Sequence, residues 1–494
     1  MNKAINRLIN FGLKQHLIEK TDVDYAVNLL SDLLKLNDFT LEDVNEDLPT
    51  ATPILEDMLD YACEKGIIEN SITERDLFDT RIMNCLMPRN SEVIKRFYDD
   101  YEVSSKEATD HYYALSIASN YIRKDRTDKN IRFKSDYKYG TFEITINLSK
   151  PEKDPKDIAK AKLVKSSGYP KCLLCKENVG FSGDINRAAR QTHRIIPLCL
   201  DGDQYYLQYS PYVYYNEHCI VFNEKHIPMV INQDTFRHLF AFIDMFPHYM
   251  LGSNAVLPIV GGSILTHDHY QGGSYHFPIE DAKTIKEIKL DNYKDLTIEV
   301  LNWPLSAIRA TSYNKEELIQ FSEHTLEEWR KYENEDLDII PRSGETLHHT
   351  ITPIARKKDG QYQIDLVLRN NRTNDEYPDG IFHPHQEHHH IKKENIGLIE
   401  VMGLAVLPAR LKNEMELLKQ CLLKKKTIDC DESLEKHQQW FEELIAKHQF
   451  NEENVDQILK DEIAVKFVKV LENAGVFKMN DEGIEAFIKF VEGL

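Results

Sequence analysis

At 494 residues the chain can bury a large core and hold several structural units. Its 61 Lys and Arg stand against 81 Asp and Glu, a formal net charge of −20, which excludes broad, non-specific nucleic-acid binding because that needs a basic footprint. No apolar run approaches the ~18 residues of a membrane helix, and the eight cysteines are too sparse for a disulfide scaffold, so a cytoplasmic protein is expected.

The N-terminus, MNKAINRLINFGLKQHL, reads as an amphipathic helix rather than a signal peptide. Apolar Ile5, Leu8, Ile9 and Leu13 follow helical spacing, and the helical pattern continues to about residue 130. Thr21-x-x-Asp24, Thr40-x-x-Asp43 and Thr73-x-x-Asp76 resemble capping boxes and predict helix starts. Strand signals follow. Phe142, Ile144, Ile146 and Leu148 alternate with polar residues, Tyr205–Tyr209 and Cys219–Phe222 read as strands, and Tyr362, Ile364, Leu366 and Leu368 alternate again. From Leu411 onward the pattern returns to charged helices, including 431–448 and 454–473. The expected division is a helical region over 1–130, a first strand-rich half over 131–290, a second over 291–410, and a helical region over 411–494.

Three clusters carry chemistry. The first is His267-Asp268-His269-Tyr270-Gln271, preceded by Gly261-Gly262 and followed by Gly272-Gly273. In an extended segment His267, His269 and Gln271 share one face, and burying them is costly unless each polar group is used. The glycines suit close approach of a ligand to the backbone. A neutral imidazole is a good nucleophile toward phosphorus; the plainer alternative is a histidine-rich surface strand. The second cluster is Cys172-Leu173-Leu174-Cys175, with the spacing of a zinc knuckle. The chain has no second such pair, so further ligands would be histidines, with His226 and His267 as candidates. A redox pair or two structural cysteines are the alternatives. The third is His383, His385, His388, His389 and His390, set in a loop by Asp379-Gly380 and Pro384. Near it Arg369, Arg372, Lys392 and Lys393 could receive phosphate, Arg369 from the end of an alternating strand.

Read jointly, these residues resemble the galactose-1-phosphate uridylyltransferases, a branch of the histidine-triad superfamily that pairs an early Cys-x-x-Cys with a later His-x-His-x-Gln. The likeness covers roughly residues 135 to 410 and includes Asn178, Asn254 and Ser263. The helical N-terminus and the phrases at 261–271 and 395–408 resemble the second, bacterial type. The resemblance implies an α+β fold with two histidine-triad-like halves and a large antiparallel sheet. It implies exchange of uridylyl groups between UDP-glucose and galactose 1-phosphate, with His269 transiently uridylylated and Gln271 donating to the transferring phosphoryl oxygens. Asn254, Ser263 and Asn178 become candidate substrate contacts, and zinc is implied at Cys172, Cys175, His226 and His267. A second metal in the better-known type uses a glutamate and three histidines. The equivalent strand here, Leu366 to Asn371, lacks histidines, which leaves that metal open. Asp268 stands where the family commonly has proline, so a different local backbone is expected. Dimers are common in the family. The rival readings are a related nucleotidyltransferase or phosphorylase with another nucleotide or sugar, and a zinc-stabilised nucleotide-binding protein without turnover.

Overall fold

Helix begins at residue 2, where the 3.6-residue spacing of apolar side chains first appears. The computed structural model describes residues 1–149, 168–424, 427–428 and 431–494. Its first seven helices are α1 (Asn2–Lys14), α2 (Val23–Leu33), α3 (Thr52–Glu64), α4 (Ile72–Asn84), α5 (Asn90–Tyr101), α6 (Ser105–Ala118) and the short α7 (Lys124–Thr127). Ile5, Leu8 and Ile9 of α1 join Leu30, Ile54, Met58, Phe78 and Ile82 in one apolar cluster. Each such side chain contributes about 1.5–3 kcal/mol on burial.

The three Thr-x-x-Asp patterns do not start helices. α4 is capped two residues earlier, by Ser71, whose side chain accepts from Glu74 N. Thr21 lies in a short 3-10 turn, Lys20–Asp22. Thr40 and Asp43 lie in a non-helical stretch. There Thr40 N donates to Asn2 Oδ1 and Glu42 N to Asn6 Oδ1, so side chains of α1 take the backbone groups that a new helix would have used.

The chain divides into two compact units. The first comprises residues 1–129, 149–227 and 267–269, the second 130–148, 228–266 and 270–494. In the first unit β3 (Ile196–Leu200), β4 (Asp203–Tyr209) and β5 (Cys219–Asn223) pair antiparallel in that order. Tyr112 OH of α6 donates to Arg194 O (2.6 Å), and Tyr209 OH of β4 donates to Thr109 O (3.0 Å), so buried tyrosines fasten the helices to these strands.

In the second unit β1 (Ile131–Tyr137) and β2 (Gly140–Asn147) form a hairpin, and β15 (Leu404–Pro408) pairs parallel with β2. Phe142, Ile144 and Ile146 point into the core, as their alternation predicts, and Phe142 stacks on Trp303. The remaining strands are β6 (Met250–Gly252), β7 (His269–Gly273), β8 (Thr284–Ile288), β9 (Thr297–Leu301) and β10 (Ala307–Ser312), then the small pair β11 (Arg342–Ser343) and β12 (Thr346–Leu347), then β13 (His349–Lys358) and β14 (Gln361–Asn370). From β7 the order is β7-β6-β13-β14-β10-β9-β8. The largest sheet has ten strands, and its described pairings are antiparallel. With the helices α8 (Gln233–Met245), α9 (Lys315–Trp329), α10 (Leu398–Val401), α11 (Arg410–Lys424), α12 (Gln438–Lys447), α13 (Val455–Ala474) and α14 (Asp481–Glu492), this is the expected α+β class with helical ends. Among the described residues no helix is long and apolar enough to cross a membrane.

Candidate active site and metal centre

Four residues distant in sequence converge in the first unit. Cys172 and Cys175 sit on a tight turn whose carbonyls, Cys172 O and Cys175 O, both accept from Asn178 Nδ2 at 2.8 Å. His226 follows β5, and His267 immediately precedes Asp268. The ligand atoms of all four lie within 4.8 Å of one another. Cys172 Sγ is 3.6 Å from Cys175 Sγ and 3.2 Å from His267 Nδ1, and Cys175 Sγ is 3.3 Å from His226 Nδ1. Bond lengths of about 2.0–2.3 Å in a tetrahedral site put donor atoms about 3.3–3.8 Å apart, so two thiolates and two imidazoles fit one zinc ion here. The tautomer agrees. His267 Nε2–H donates to the carbonyl of Asn223 (2.8 Å), which leaves the Nδ1 lone pair toward the sulfurs.

Two residues on, the bonding of His269 is reversed. His267 O can only accept, so the 2.8 Å contact with His269 Nδ1 makes that nitrogen the protonated one. The Nε2 lone pair is then free. Burial holds this imidazole well below its ordinary value, to about 4, so it is neutral at pH 7. Gln271 follows in β7, where strand alternation places it on the same face as His269. His267 and Asp268 are not part of that strand, which starts at His269. Asp268 N donates to Ile227 O (2.7 Å) and Asp268 O accepts from Asn223 N (2.9 Å), so this residue follows the segment leaving β5 instead. Its buried carboxylate accepts from Tyr205 OH at 2.6 Å. Where the family commonly has proline, this chain thus uses an aspartate whose N–H and side chain are both engaged. Sequence reading marked Asp268 for its backbone but missed Tyr205 and Asn223 as its partners; the placement of both on the expected strands Tyr205–Tyr209 and Cys219–Phe222, or just past their ends, was the available signal.

The other candidates lie as follows. Asn254 is buried and its Oδ1 accepts from Leu398 N (2.9 Å), while Ser263 is exposed. Gly261 has a structural reason of its own, since a Cβ there would collide with the carbonyl oxygens of Ala255 and Leu257. Arg369, fully buried on β14, donates from Nη2 to Ile396 O (2.9 Å), and burial pulls its guanidinium down to about 10. Asn254 and Arg369 therefore both hold the segment that begins Asn395-Ile396-Gly397-Leu398. Within the loop at 383–390, His385 stacks on Tyr377, His389 Nε2 donates to Pro384 O, and His388 and His390 are buried. Among the described residues, the Cys172, Cys175, His226 and His267 group is the one set of His, Cys, Asp and Glu side chains that could hold a metal ion.

Comparison with known proteins adds the following. A family model described as galactose-1-phosphate uridyl transferase, N-terminal domain, matches residues 16–228, and the model of the corresponding C-terminal domain matches residues 242–442. The galactose-1-phosphate uridylyltransferase of Clostridium acetobutylicum is 56% identical over 493 residues, covering 99% of both chains. Those of Caldanaerobacter subterraneus subsp. tengcongensis and Bacillus subtilis are 53% and 44% identical, each covering 99% of this chain and 97% of the relative. Among solved structures, yeast Ap4A phosphorylase Apa2 in complex with AMP aligns with 71% of this chain and 96% of its own at 12% identity and a TM-score of 0.36.

Proposed function

This chain belongs to the galactose-1-phosphate uridylyltransferase family, and on that premise we propose that it exchanges uridylyl groups between UDP-glucose and galactose 1-phosphate by double displacement through His269. The observation that carries the reading is the orientation of this imidazole. With Nδ1–H tied to His267 O and burial keeping the ring neutral, Nε2 presents a lone pair at pH 7. In the first step Nε2 attacks the α-phosphorus of UDP-glucose, a P–N bond forms, and the bond from that phosphorus to the bridging oxygen breaks, releasing glucose 1-phosphate. In the second a phosphate oxygen of galactose 1-phosphate attacks the same phosphorus and the P–N bond breaks, giving UDP-galactose and free His269. Gln271 donates an amide N–H to the transferring phosphoryl oxygens as their charge develops. Ser263 and Asn254 act on the phosphates, Asn254 partly by holding the backbone at Leu398. Asn178 acts through the knuckle that its amide bridges, and Arg369 through the segment at Ile396.

Cys172, Cys175, His226 and His267 would hold zinc in a structural role, in which their ligation would fix the knuckle and with it the carbonyl of His267 that sets the tautomer of His269. In this reading residues 131–290 form the half that carries the nucleophile and 291–410 the second, with helical regions at 1–130 and 411–494, in a cytoplasmic homodimer. The test is covalent labelling. Protein incubated with UDP-glucose radiolabelled in the α-phosphate and denatured should retain label through a bond that survives base and is cleaved by acid, as a phosphoramidate is. ADP-glucose serves as the second arm. Label from ADP-glucose and none from UDP-glucose would favour a related nucleotidyltransferase, and label from neither would refute the covalent route.

A further inference from the structure

The first unit holds a cavity of about 620 Å³ whose lining includes neither the metal-ligand cluster nor His269. Its walls come from α4, from the α6–α7 turn, from the loop at 184–192 and from Pro211 and Tyr212 after β4. That volume is typical of small-molecule sites, about 300–1,000 Å³. Much of the wall is apolar, including Ile72, Leu77, Ile185 and Ala188.

Four arginines face this space: Arg123, Arg126, Arg187 and Arg190. Three have carboxylate partners. Arg123 Nη2 donates to Asp79 Oδ1 (2.8 Å), and Arg126 Nη1 donates to Asp76 Oδ2 (2.8 Å). Arg187 Nε and Nη2 both donate to Asp184 Oδ2 at 2.9 and 2.6 Å. Arg190 differs. Among the described residues it pairs with no carboxylate, and its guanidinium lies over the ring of Tyr121, 5.6 Å from the centroid. Four guanidiniums against Asp76, Asp79 and Asp184 leave one positive charge, half-buried, in a chain of formal charge −20. At the rim Tyr212 leaves an aromatic side chain 41% exposed. An arginine fork without a counter-ion recognises phosphate, and an exposed ring beside an apolar wall recognises a planar ring.

We propose that this cavity is a second ligand site, taking a phosphate monoester of a planar-ring compound, with the phosphate on Arg190 and the ring against Tyr212. The residues that hold it belong partly to the N-terminal helices, which gives that region a binding role.

The test uses the full chain with Tyr212→Trp as a reporter, since the native Trp303, Trp329 and Trp440 are all buried. Titration with phenyl phosphate should change the fluorescence saturably, and Arg190→Gln in the same background should weaken binding about tenfold or more, as loss of a charge-assisted contact does. Phenol and inorganic phosphate should each bind far more weakly. A response to phenyl phosphate that does not saturate, or that Arg190→Gln leaves unchanged, would overturn the site. Equal binding of phenol would overturn the anionic end, equal binding of inorganic phosphate the ring, and equal binding of benzoate the choice of phosphate. Should Arg190→Gln fail to fold by circular dichroism, Arg190→Lys decides. It keeps the charge and loses the fork, so binding should fall several-fold, and unchanged binding would refute the assignment.

Discussion

Which nitrogen of His269 can react is set by one hydrogen bond to a carbonyl two residues back. Removing that imidazole should therefore remove the route, not merely slow it. His269→Gly is expected to lose at least about 10⁴-fold in exchange of labelled glucose 1-phosphate into UDP-glucose, with little change in melting temperature. Near wild-type exchange would exclude His269 as the nucleophile. The metal cluster behaves differently because its residues act through structure. Cys175→Ser should lose zinc, measured by elemental analysis of protein purified with and without added zinc, and should melt at lower temperature while activity falls with it. Full metal content in Cys175→Ser would remove this residue from the ligand set. At this scale the sequence told much: the C-x-x-C spacing marked Cys172 and Cys175 and left His226 and His267 as candidate partners, and the family resemblance implied the four together. What it could not tell was the division of nitrogens. That depends on Asn223 O and His267 O, and no side-chain pattern encodes carbonyl positions.

Elements were legible where one physical signal dominates. β2 and β14 lie where their alternating apolar residues put them and β4 where the run Tyr205–Tyr209 put it, although β14 is buried on both faces from Gln363 to Asn370. The N-terminal helices follow their apolar stripe. Their starts were misplaced because a Thr-x-x-Asp pattern is common, whereas capping requires extended backbone at the cap; Ser71 has it and serves α4. The second half of the sheet hides a further feature from sequence. Asp365 on β14 is fully buried between Arg309 on β10 and Arg356 on β13. Arg309 grips it with Nε and Nη2 at 2.7 and 3.0 Å. In the alternating run Tyr362 to Leu368 this aspartate reads as a solvent-facing residue, but the segment at Ile279 and Glu280 lies over the two arginines, Arg309 Nη2 donating to Ile279 O (2.9 Å). The carboxylate is paired by arginines on both neighbouring strands. Asp365→Asn would leave two buried guanidiniums short of a counter-charge. It should destabilise the protein by about 3–5 kcal/mol, measured by denaturant unfolding. A change under about 1 kcal/mol would show that solvent or a shifted side chain already compensates the arginines.

Taken as a whole the chain is strongly acidic, with a formal charge of −20, and it buries several histidines in neutral form. These two properties give opposite responses to acid. Protonating surface carboxylates relaxes self-repulsion and favours the folded state; salt screens this term, with a Debye length of about 8 Å at 0.15 M. The buried histidines act the other way. Burial pushes His349 down to about 4, and its ring stacks on Trp329 at 3.9 Å while Nδ1–H donates to Trp329 O (2.6 Å). Burial likewise pushes His390 down to about 3 and lowers His193 strongly. Between the ordinary histidine value near 6.5 and these folded values the unfolded chain binds more protons, so stability rises with pH there and is lost as pH falls. For His349 a shift from 6.5 to about 4 corresponds to at most about 3 kcal/mol, fully present above pH 6.5 and gone once pH drops through 4. At 0.15 M salt the melting temperature should therefore fall from pH 7 to pH 4.5. His349→Phe keeps a ring against Trp329 and removes the titration. It should cost about 1 kcal/mol at pH 7.5 through the lost hydrogen bond and give a visibly shallower decline between pH 6.5 and 4.5. A decline as steep as wild type would show that His349 takes up no proton on unfolding, and would shift the acid sensitivity to His390 and His193.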